Sequence, residues 1–396
     1  MALAPRVHNG SAMDDSTNPP QRRAPGLDRR DCLLAVTLIG LASCGGVDPP
    51  GALDAATAAD AGADASTACA STNLAACVYD APGNYGQLPP IVRDLTYTDV
   101  SGQQRVVQIA LHRPDGAPQP WPVVVWSHGG ADGMSSAVNV GDGWARVFTA
   151  AGYLFVGIAH PGRDQASREQ MCAHFGVPLT IECAQVKYLH WDRPNDFREA
   201  LDYLEAQATG PLAGVADLGN VLYAGHSAGS GGGSLVAGAS RPIFGAIRTA
   251  PDPRPKAFIG CSMEGDGDDG FTADSFRPIA RPHLTLSGVG DITPEAPALP
   301  RRVPFDVMMP GDKYRFWNTE LAARHATFNH EVTACQDFQT TNGGELARCS
   351  VYLAWLDSAA LAFADAQLRD LPAARAWLAS DNLAILSGNV VEWNRR

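Results

Sequence analysis

The chain has little positive charge and no long apolar segment. Its 396 residues contain 30 Lys and Arg against 42 Asp and Glu, a formal net charge of −12 at pH 7. This balance argues against nucleic acid or an anionic membrane surface as a ligand of the folded part. An apolar run, residues 32–42, is too short to cross a bilayer, so no spanning helix is expected.

Metal and cofactor signatures are also absent from the sequence. It contains no Cys-x-x-Cys pair and no His-x-x-x-His spacing, so no metal site is expected. The acidic loop 264–270 resembles a calcium-binding loop, but its glycine and distal glutamate do not fall at the EF-hand positions. A solvated loop is therefore favoured. There is no nucleotide-binding motif and no internal repeat. We therefore expect a function that needs no cofactor.

The composition is that of a globular protein, with 45% hydrophobic and 18% charged residues. Without the N-terminal region, roughly 310 residues remain, which suits one α/β domain. Helical patterns alternate with strands from the third strand on, and long helices are predicted over residues 194–208 and 350–368. This alternation predicts a mostly parallel sheet with helices on both faces. Eight strands are predicted, over residues 93–99, 105–112, 122–127, 153–159, 221–224, 257–261, 283–287 and 314–319.

The most specific motif is the sequence NVLYAGHSAG at residues 220–229. A short apolar strand runs into Gly-x-Ser-x-Gly, the pattern of a nucleophile elbow, which exposes a serine Oγ above a sheet. Gly225 and Gly229 fit because a Cβ would collide in so tight a turn. The motif predicts Ser227 as a nucleophile. The alternative is a Gly/Ser-rich loop like the segment 230–234 that follows.

An acid should follow the nucleophile along the chain. Asp291 comes after the strand 283–287 and a glycine turn, at the strand end where functional residues of α/β sheets gather. Asp252 and Glu264 flank the preceding strand and are alternatives.

The general base should be a histidine after the last predicted strand. His325 and His330 both lie in the loop that follows residues 314–319. His325 is nearer the strand end and is the preferred base, with His330 as the alternative. The order serine, aspartate, histidine is typical of α/β-hydrolases and not of chymotrypsin or subtilisin.

An oxyanion hole is expected from backbone N–H groups. The apolar strand at 121–127 ends in His128-Gly129-Gly130, a loop that supplies one N–H in this architecture. The other comes from the residue after the nucleophile. We therefore predict Gly130 and Ala228 as the donors, and a bracing role for the His128 side chain.

Four segments carry a resemblance to a known family: 127–130 (SHGG), 159–162 (AHPG), 192–196 (DRPND) and 225–229 (GHSAG). Together they resemble α/β-hydrolases of the dienelactone-hydrolase-like and platelet-activating-factor-acetylhydrolase-like group, with cutinase-type polyester hydrolases as relatives. The resemblance covers roughly residues 89–370 and implies an α/β-hydrolase fold without a large cap domain, which we place at residues 89–396. True dienelactone hydrolases have a cysteine nucleophile; Ser227 at that position favours ester hydrolysis.

These features predict a monomeric serine esterase that works through an acyl-enzyme intermediate. Its substrate would be a small-molecule, lipid or polymer ester. A lipase or phospholipase, a polyester hydrolase, a serine peptidase and a catalytically inactive binding protein are the alternatives. Fold and triad are specific predictions, whereas the substrate is not, because one fold serves many chemistries.

The N-terminal region indicates export. Arg29 and Arg30 precede the apolar run 32–42, as in a secretory signal, which we place at residues 1–43. Residues 41–44 (LASC) resemble a bacterial lipobox, which implies lipidation of Cys44 and attachment to a membrane surface. The Ala- and Asp-rich residues 44–88 would be a flexible tether. We expect an envelope protein, anchored in the outer membrane or extracellular.

Cysteine usage agrees with an oxidising compartment. Six cysteines form three pairs of close neighbours: Cys69 with Cys77, Cys172 with Cys183, and Cys335 with Cys349. These pairings are disulfide candidates by proximity alone, because connectivity cannot be deduced from a sequence. Cys261 lies in a predicted strand and should be a buried thiol.

Overall fold

A large sheet organises the protein, for which the computed structural model describes residues 68–130, 133–178, 188–207, 209–294, 296–331 and 347–396. In this part of the chain the sheet has nine strands, in the order β1-β2-β4-β3-β5-β8-β9-β10-β11. A separate hairpin pairs β6 with β7. The strands are β1 Gly86–Thr98, β2 Gln104–Asp115, β3 Trp121–Ser127, β4 Leu154–Ala159, β5 Ala216–His226, β6 Arg241–Ile243, β7 Ala246–Arg248, β8 Pro255–Cys261, β9 His283–Gly288, β10 Lys313–Asn318 and β11 Val391–Arg395.

The sheet is mainly parallel, as predicted. All neighbours from β4 to β10 pair in parallel, and the pairs β1–β2, β2–β4 and β10–β11 are antiparallel. The predicted number of eight strands is corrected to nine by β11. This edge strand has the sequence VEWNR, with only Val391 buried. It therefore lacks the apolar run that identified the other strands.

Helices cover both faces of the sheet. They are α1 Asp142–Ala150, α2 Gln165–His174, α3 Tyr188–Glu205, α4 Ala228–Ala237, α5 Ala273–Phe276, α6 Val303–Val307, α7 Ala347–Leu368, α8 Pro372–Ala379 and α9 Asn382–Leu386. Strand β3 illustrates the two faces, since Val124 and Trp126 pack into one hydrophobic cluster and Val123 and Val125 into the other. A continuous apolar strand is therefore buried on both sides.

The long helices have the buried faces that their sequence patterns predict. Phe197, Leu201 and Leu204 of α3 are buried against the sheet, and Leu356 and Phe363 of α7 are buried against the opposite face. Helix α3 begins at Tyr188, before the predicted start at residue 194, so that Pro194 lies inside the helix.

Residues that precede β1 pack against the domain. Residues 68–85, predicted as tether, contact the folded domain. The Trp377 Nε1 donates a hydrogen bond of 2.8 Å to the Cys77 carbonyl, and the Tyr79 hydroxyl donates one of 2.8 Å to Asp365. Cys77 is fully buried. Buried contacts with α7 and α8 therefore hold the described residues 68–85 against the domain.

One of the three predicted disulfides is confirmed, the bond between Cys69 and Cys77. Cys172 and Cys349 are also disulfide-bonded. Their predicted partners Cys183 and Cys335 lie outside the described residues, as does Cys44.

Among the described cysteines, Cys261 has a free thiol, which is buried as predicted. Among the described helices, none has the length and apolarity needed to cross a membrane.

Candidate active site

Ser227 lies at the sharp turn between β5 and α4. Its backbone has φ 52° and ψ −123°, a conformation that non-glycine residues rarely adopt. The turn is held by a hydrogen bond of 2.9 Å from the Ser227 N–H to the Cys261 carbonyl. Strained backbone of this kind persists only where the surroundings enforce it, and it is concentrated at functional sites.

The neighbouring glycines are required by close backbone approaches. A Cβ on Gly229 would lie 2.1 Å from the Ser127 carbonyl oxygen, and a Cβ on Gly225 would lie 2.6 Å from the Gly229 carbonyl carbon. No side-chain rotation could relieve these backbone clashes. The Gly-x-Ser-x-Gly spacing therefore follows from the tightness of the turn.

Asp291 and His325 are brought together at the ends of β9 and β10. The His325 Nδ1 lies 2.6 Å from Asp291 Oδ1, and the Ser287 hydroxyl donates a 2.6 Å hydrogen bond to Asp291 Oδ2. Burial raises the pKa of Asp291, but the hydrogen bond from His325 and the charge of Arg301, 3.6 Å away, outweigh it and lower the pKa below its ordinary value. An ionised Asp291 accepts a hydrogen bond from the His325 Nδ1–H, which leaves His325 Nε2 with a lone pair.

Two of the alternative residues, His330 and Asp252, lie in other surroundings. His330 Nε2 is 2.8 Å from Asp357, and its ring packs against Trp144 with centroids 5.0 Å apart. Asp252 forms a salt bridge of 2.7 Å with Arg254. Neither alternative is part of the pair between Asp291 and His325.

A cavity of about 880 Å³ connects the predicted site residues. Ser227 and His325 line it together with Gly130 and Ala228, the predicted oxyanion donors. Asp291 is fully buried behind this surface. The cavity places a serine hydroxyl and an imidazole in one space large enough for a small organic substrate. Its wall also contains apolar residues (Met134, Val140, Pro294, Ala296) and acidic ones (Glu264, Asp268, Asp269, Glu331).

A buried network of charged residues behind the loop 128–130 was not predicted from the sequence. Arg105 Nε donates a 2.7 Å hydrogen bond to Asp196, and Arg163 Nε donates one of 2.7 Å to Asp192. His160 lies between this network and β3, with Nδ1 2.9 Å from Asp196 and Nε2 2.8 Å from the Ser127 hydroxyl. The segments 159–162 and 192–196 carried the family resemblance, but nothing in them indicated that they would meet.

The histidines of this region are neutral. Burial, followed by the nearby charge of Arg193, lowers the pKa of His160 to about 4 despite its contact with Asp196. Burial is also the main cause that lowers the pKa of His128 to about 3. Neutral rings have one donor and one acceptor, which fixes the direction of their hydrogen bonds. No group of three His, Cys, Asp or Glu side chains suited to a metal ion occurs among the described residues.

Glu264 makes the stability of the protein depend on pH. Burial raises its pKa to about 8, which outweighs the attraction of Arg241, 3.6 Å away. Since the folded state holds this proton more tightly than the unfolded state, its contribution to stability is complete below about pH 4.5 and is lost as the pH rises through about 8.

In the Glu264→Gln variant the side chain at position 264 cannot ionise. We therefore expect this variant to lack the pH-dependent contribution of Glu264 to stability. The free energy of unfolding of the wild type should fall relative to the variant by up to about 1.4 kcal/mol per pH unit between pH 5 and about 8. Urea unfolding at several pH values measures this difference. Glu331→Gln removes an exposed carboxyl from the same cavity and serves as the control. A difference between wild type and Glu264→Gln that does not change with pH would contradict the prediction.

Comparisons with known proteins add little to this geometry. No protein-family model matches the chain, and no curated protein matches it. Among solved structures, the chain is similar to a ferulic acid esterase from Streptomyces cinnamoneus, with 16% sequence identity and a TM-score of 0.49. The similarity covers 80% of this chain and 98% of the esterase.

Proposed function

We propose that the protein is a serine hydrolase of the α/β-hydrolase type that cleaves carboxylic esters. The observation that carries the proposal is the hydrogen bond between the buried Asp291 and His325, at the wall of the cavity that also contains the strained Ser227. A nucleophile on an elbow, a histidine, and an acid that orients the histidine form the minimal set for acyl transfer.

In the proposed mechanism, His325 Nε2 takes the Ser227 proton as Oγ attacks the ester carbonyl carbon. The N–H groups of Gly130 and Ala228 bind the resulting oxyanion. His325 then protonates the leaving alcohol, which departs and leaves an acyl-serine. A water molecule activated by His325 hydrolyses the acyl-serine and restores Ser227. Asp291 remains ionised throughout and stabilises the charged imidazole.

A lipase or polyester hydrolase is the second candidate, favoured by an exposed apolar side chain in the cavity wall and by others close to it in sequence. Met134 lines the cavity and is 37% exposed. Ile292 and Leu299, 49% and 68% exposed, are close in sequence to the lining residues Thr293 and Arg301. An apolar surface beside the cavity would favour a lipid or polymer ester as the substrate.

Acyl-chain preference separates the candidates. We would measure hydrolysis of p-nitrophenyl esters from acetyl to long acyl chains, and map the peptide labelled by a fluorophosphonate. A simple esterase should prefer short chains, and a lipase long ones. Labelling of Ser227 without ester hydrolysis would favour a serine peptidase. The absence of both ester hydrolysis and labelling would overturn the proposed function and favour a non-catalytic binding protein.

The location of the protein is proposed from the sequence alone. Lipidation of Cys44 would attach the domain to a bacterial membrane surface, with the outer membrane expected because Gly45 follows the cysteine in place of an aspartate. Radiolabelled palmitate should be incorporated into the wild type and not into a Cys44→Ala variant.

A further inference from the structure

Arg193 is a fully buried cation whose side chain is directed at the backbone of the loop 128–130. It belongs to α3 and donates hydrogen bonds to two carbonyl groups of the loop. One is the carbonyl of His128, and the other is that of Gly130, at 2.8 Å. Hydrogen bonds from a charged donor are about twice as strong as neutral ones, so these two contacts hold the loop firmly.

The two carbonyls lie on either side of the peptide group that carries the Gly130 N–H. The carbonyl of that peptide group belongs to Gly129, and His128 Nδ1 lies 2.7 Å from it. Since a carbonyl oxygen can only accept, Nδ1 of the neutral His128 ring carries the proton. Its Nε2 in turn accepts a hydrogen bond of 3.2 Å from the His160 N–H. Three successive carbonyls of the loop are thus held by side-chain donors.

Holding these carbonyls also fixes the N–H groups. The C=O and N–H of one trans peptide group point in opposite directions, so a fixed carbonyl determines where its N–H points. The loop also lies directly against the nucleophile, because a Cβ on Gly129 would be 3.2 Å from the Ser227 Cβ. A small rotation of these peptide groups would therefore move the N–H donors relative to Ser227.

The carboxylates close to Arg193 in sequence are hydrogen-bonded to other arginines, while Arg193 itself is hydrogen-bonded to the loop. Asp196 accepts two hydrogen bonds from Arg105, at 2.7 and 2.8 Å, and Asp192 accepts two from Arg163, at 2.7 and 2.8 Å. These two arginines hold the acids on either side of Arg193 in the sequence. The positive charge nearest to the carbonyls of the loop is then that of Arg193 itself.

We propose that Arg193 is a positioning residue that holds the oxyanion loop 128–130 against Ser227. By binding the carbonyls of His128 and Gly130, it keeps the N–H groups of the loop in place while negative charge develops on the substrate oxygen. Pre-organised donors of this kind stabilise a transition state more than the ground state. The inference rests on the proposed function, since it requires an oxyanion to form at Ser227.

The test compares Arg193→Met and Arg193→Lys with the wild type and with Arg198→Met. Arg198 lies on the same helix, and its side chain is 32% exposed and contacts Asn195 and Pro251 instead of the loop. The concentration of reactive sites in each preparation is titrated to its end point with a fluorophosphonate. Ester hydrolysis is then expressed per titrated site, and the inhibition constant of a trifluoromethyl ketone is measured.

We expect kcat per site to fall on the order of 10²-fold or more in Arg193→Met, with KM changed by less than about threefold. Arg193→Lys, which can bind one carbonyl, should recover part of the loss, and Arg198→Met should match the wild type. The inhibition constant should rise in parallel with the loss of kcat/KM, because the ketone forms an oxyanion in the same hole. A merely structural role would reduce the number of titrated sites and leave this constant unchanged.

Two results would overturn the inference in distinguishable ways. If both Arg193 variants have the wild-type kcat per titrated site and the wild-type inhibition constant, the positioning role of Arg193 is refuted. The proposed function then still stands. A wild type that neither hydrolyses esters nor reacts with the fluorophosphonate would refute the proposed function and this inference with it.

Discussion

Replacing Ser227 by alanine should lower kcat for ester hydrolysis by about 10⁴-fold or more. The hydroxyl is the atom that would form the acyl-enzyme, and no neighbouring group can substitute for it without rebuilding the elbow. The small residual rate would come from substrate binding and from the N–H donors, which the substitution leaves in place. Steady-state kinetics with a p-nitrophenyl ester, together with loss of fluorophosphonate labelling, measures the effect.

Ser234→Ala is the matched control for this experiment. Ser234 lies on α4, is fully buried and donates a 2.9 Å hydrogen bond to the Ser230 carbonyl. Removing its hydroxyl should cost about 1 kcal/mol of stability and leave kcat within about threefold of the wild type. If Ser227→Ala kept the wild-type rate, the reaction would not proceed through this serine, and the proposed function would be wrong.

The second large expected effect distinguishes which of the two histidines in the loop after β10 is the general base. His325→Ala should lower kcat by about 10⁴-fold, because it removes the base hydrogen-bonded to Asp291. His330→Ala should keep kcat within about threefold of the wild type and lower stability by about 1–3 kcal/mol, since His330 contacts Asp357 and Trp144. Kinetics and urea unfolding of both variants measure these quantities.

Each of the two variants serves as the control for the other, because each changes one histidine of the same loop. A large loss of kcat in His330→Ala with an active His325→Ala protein would assign the base to His330. In that case the pairing of His325 with Asp291 would have to serve another purpose.

The fold could be predicted where the sequence of one segment is enough to identify its structure. Strand β3 is a continuous apolar run, and the elbow at Ser227 has glycines at both ends that only a tight turn requires. The terminal strand β11 has no such signal. Its place is set by pairing with β10 and by contacts such as that of Trp393 with Tyr314, whose rings are 5.6 Å apart. Information of this kind is not contained in one segment.

Asp291 and His325 could be proposed from the sequence, whereas the role of Arg193 could not. The acid and the base follow strands, and the parallel sheet brings strand ends together. The role of Arg193 depends on two carbonyl groups 65 and 63 residues away in the chain. A buried arginine has no periodic pattern, and its partners are backbone atoms that every sequence possesses.

The docking of residues 68–85 places their C-terminal part at the end of the sheet remote from Ser227. Tyr85 donates its N–H to the Ala150 carbonyl, before β4 begins, and Pro82 and Tyr85 line a second cavity with Pro122 and Asp217, near the starts of β3 and β5. Ser227 lies at the other ends of these parallel strands. The described residues 68–85 thus leave the cleft at Ser227 open, since none of them lines its cavity.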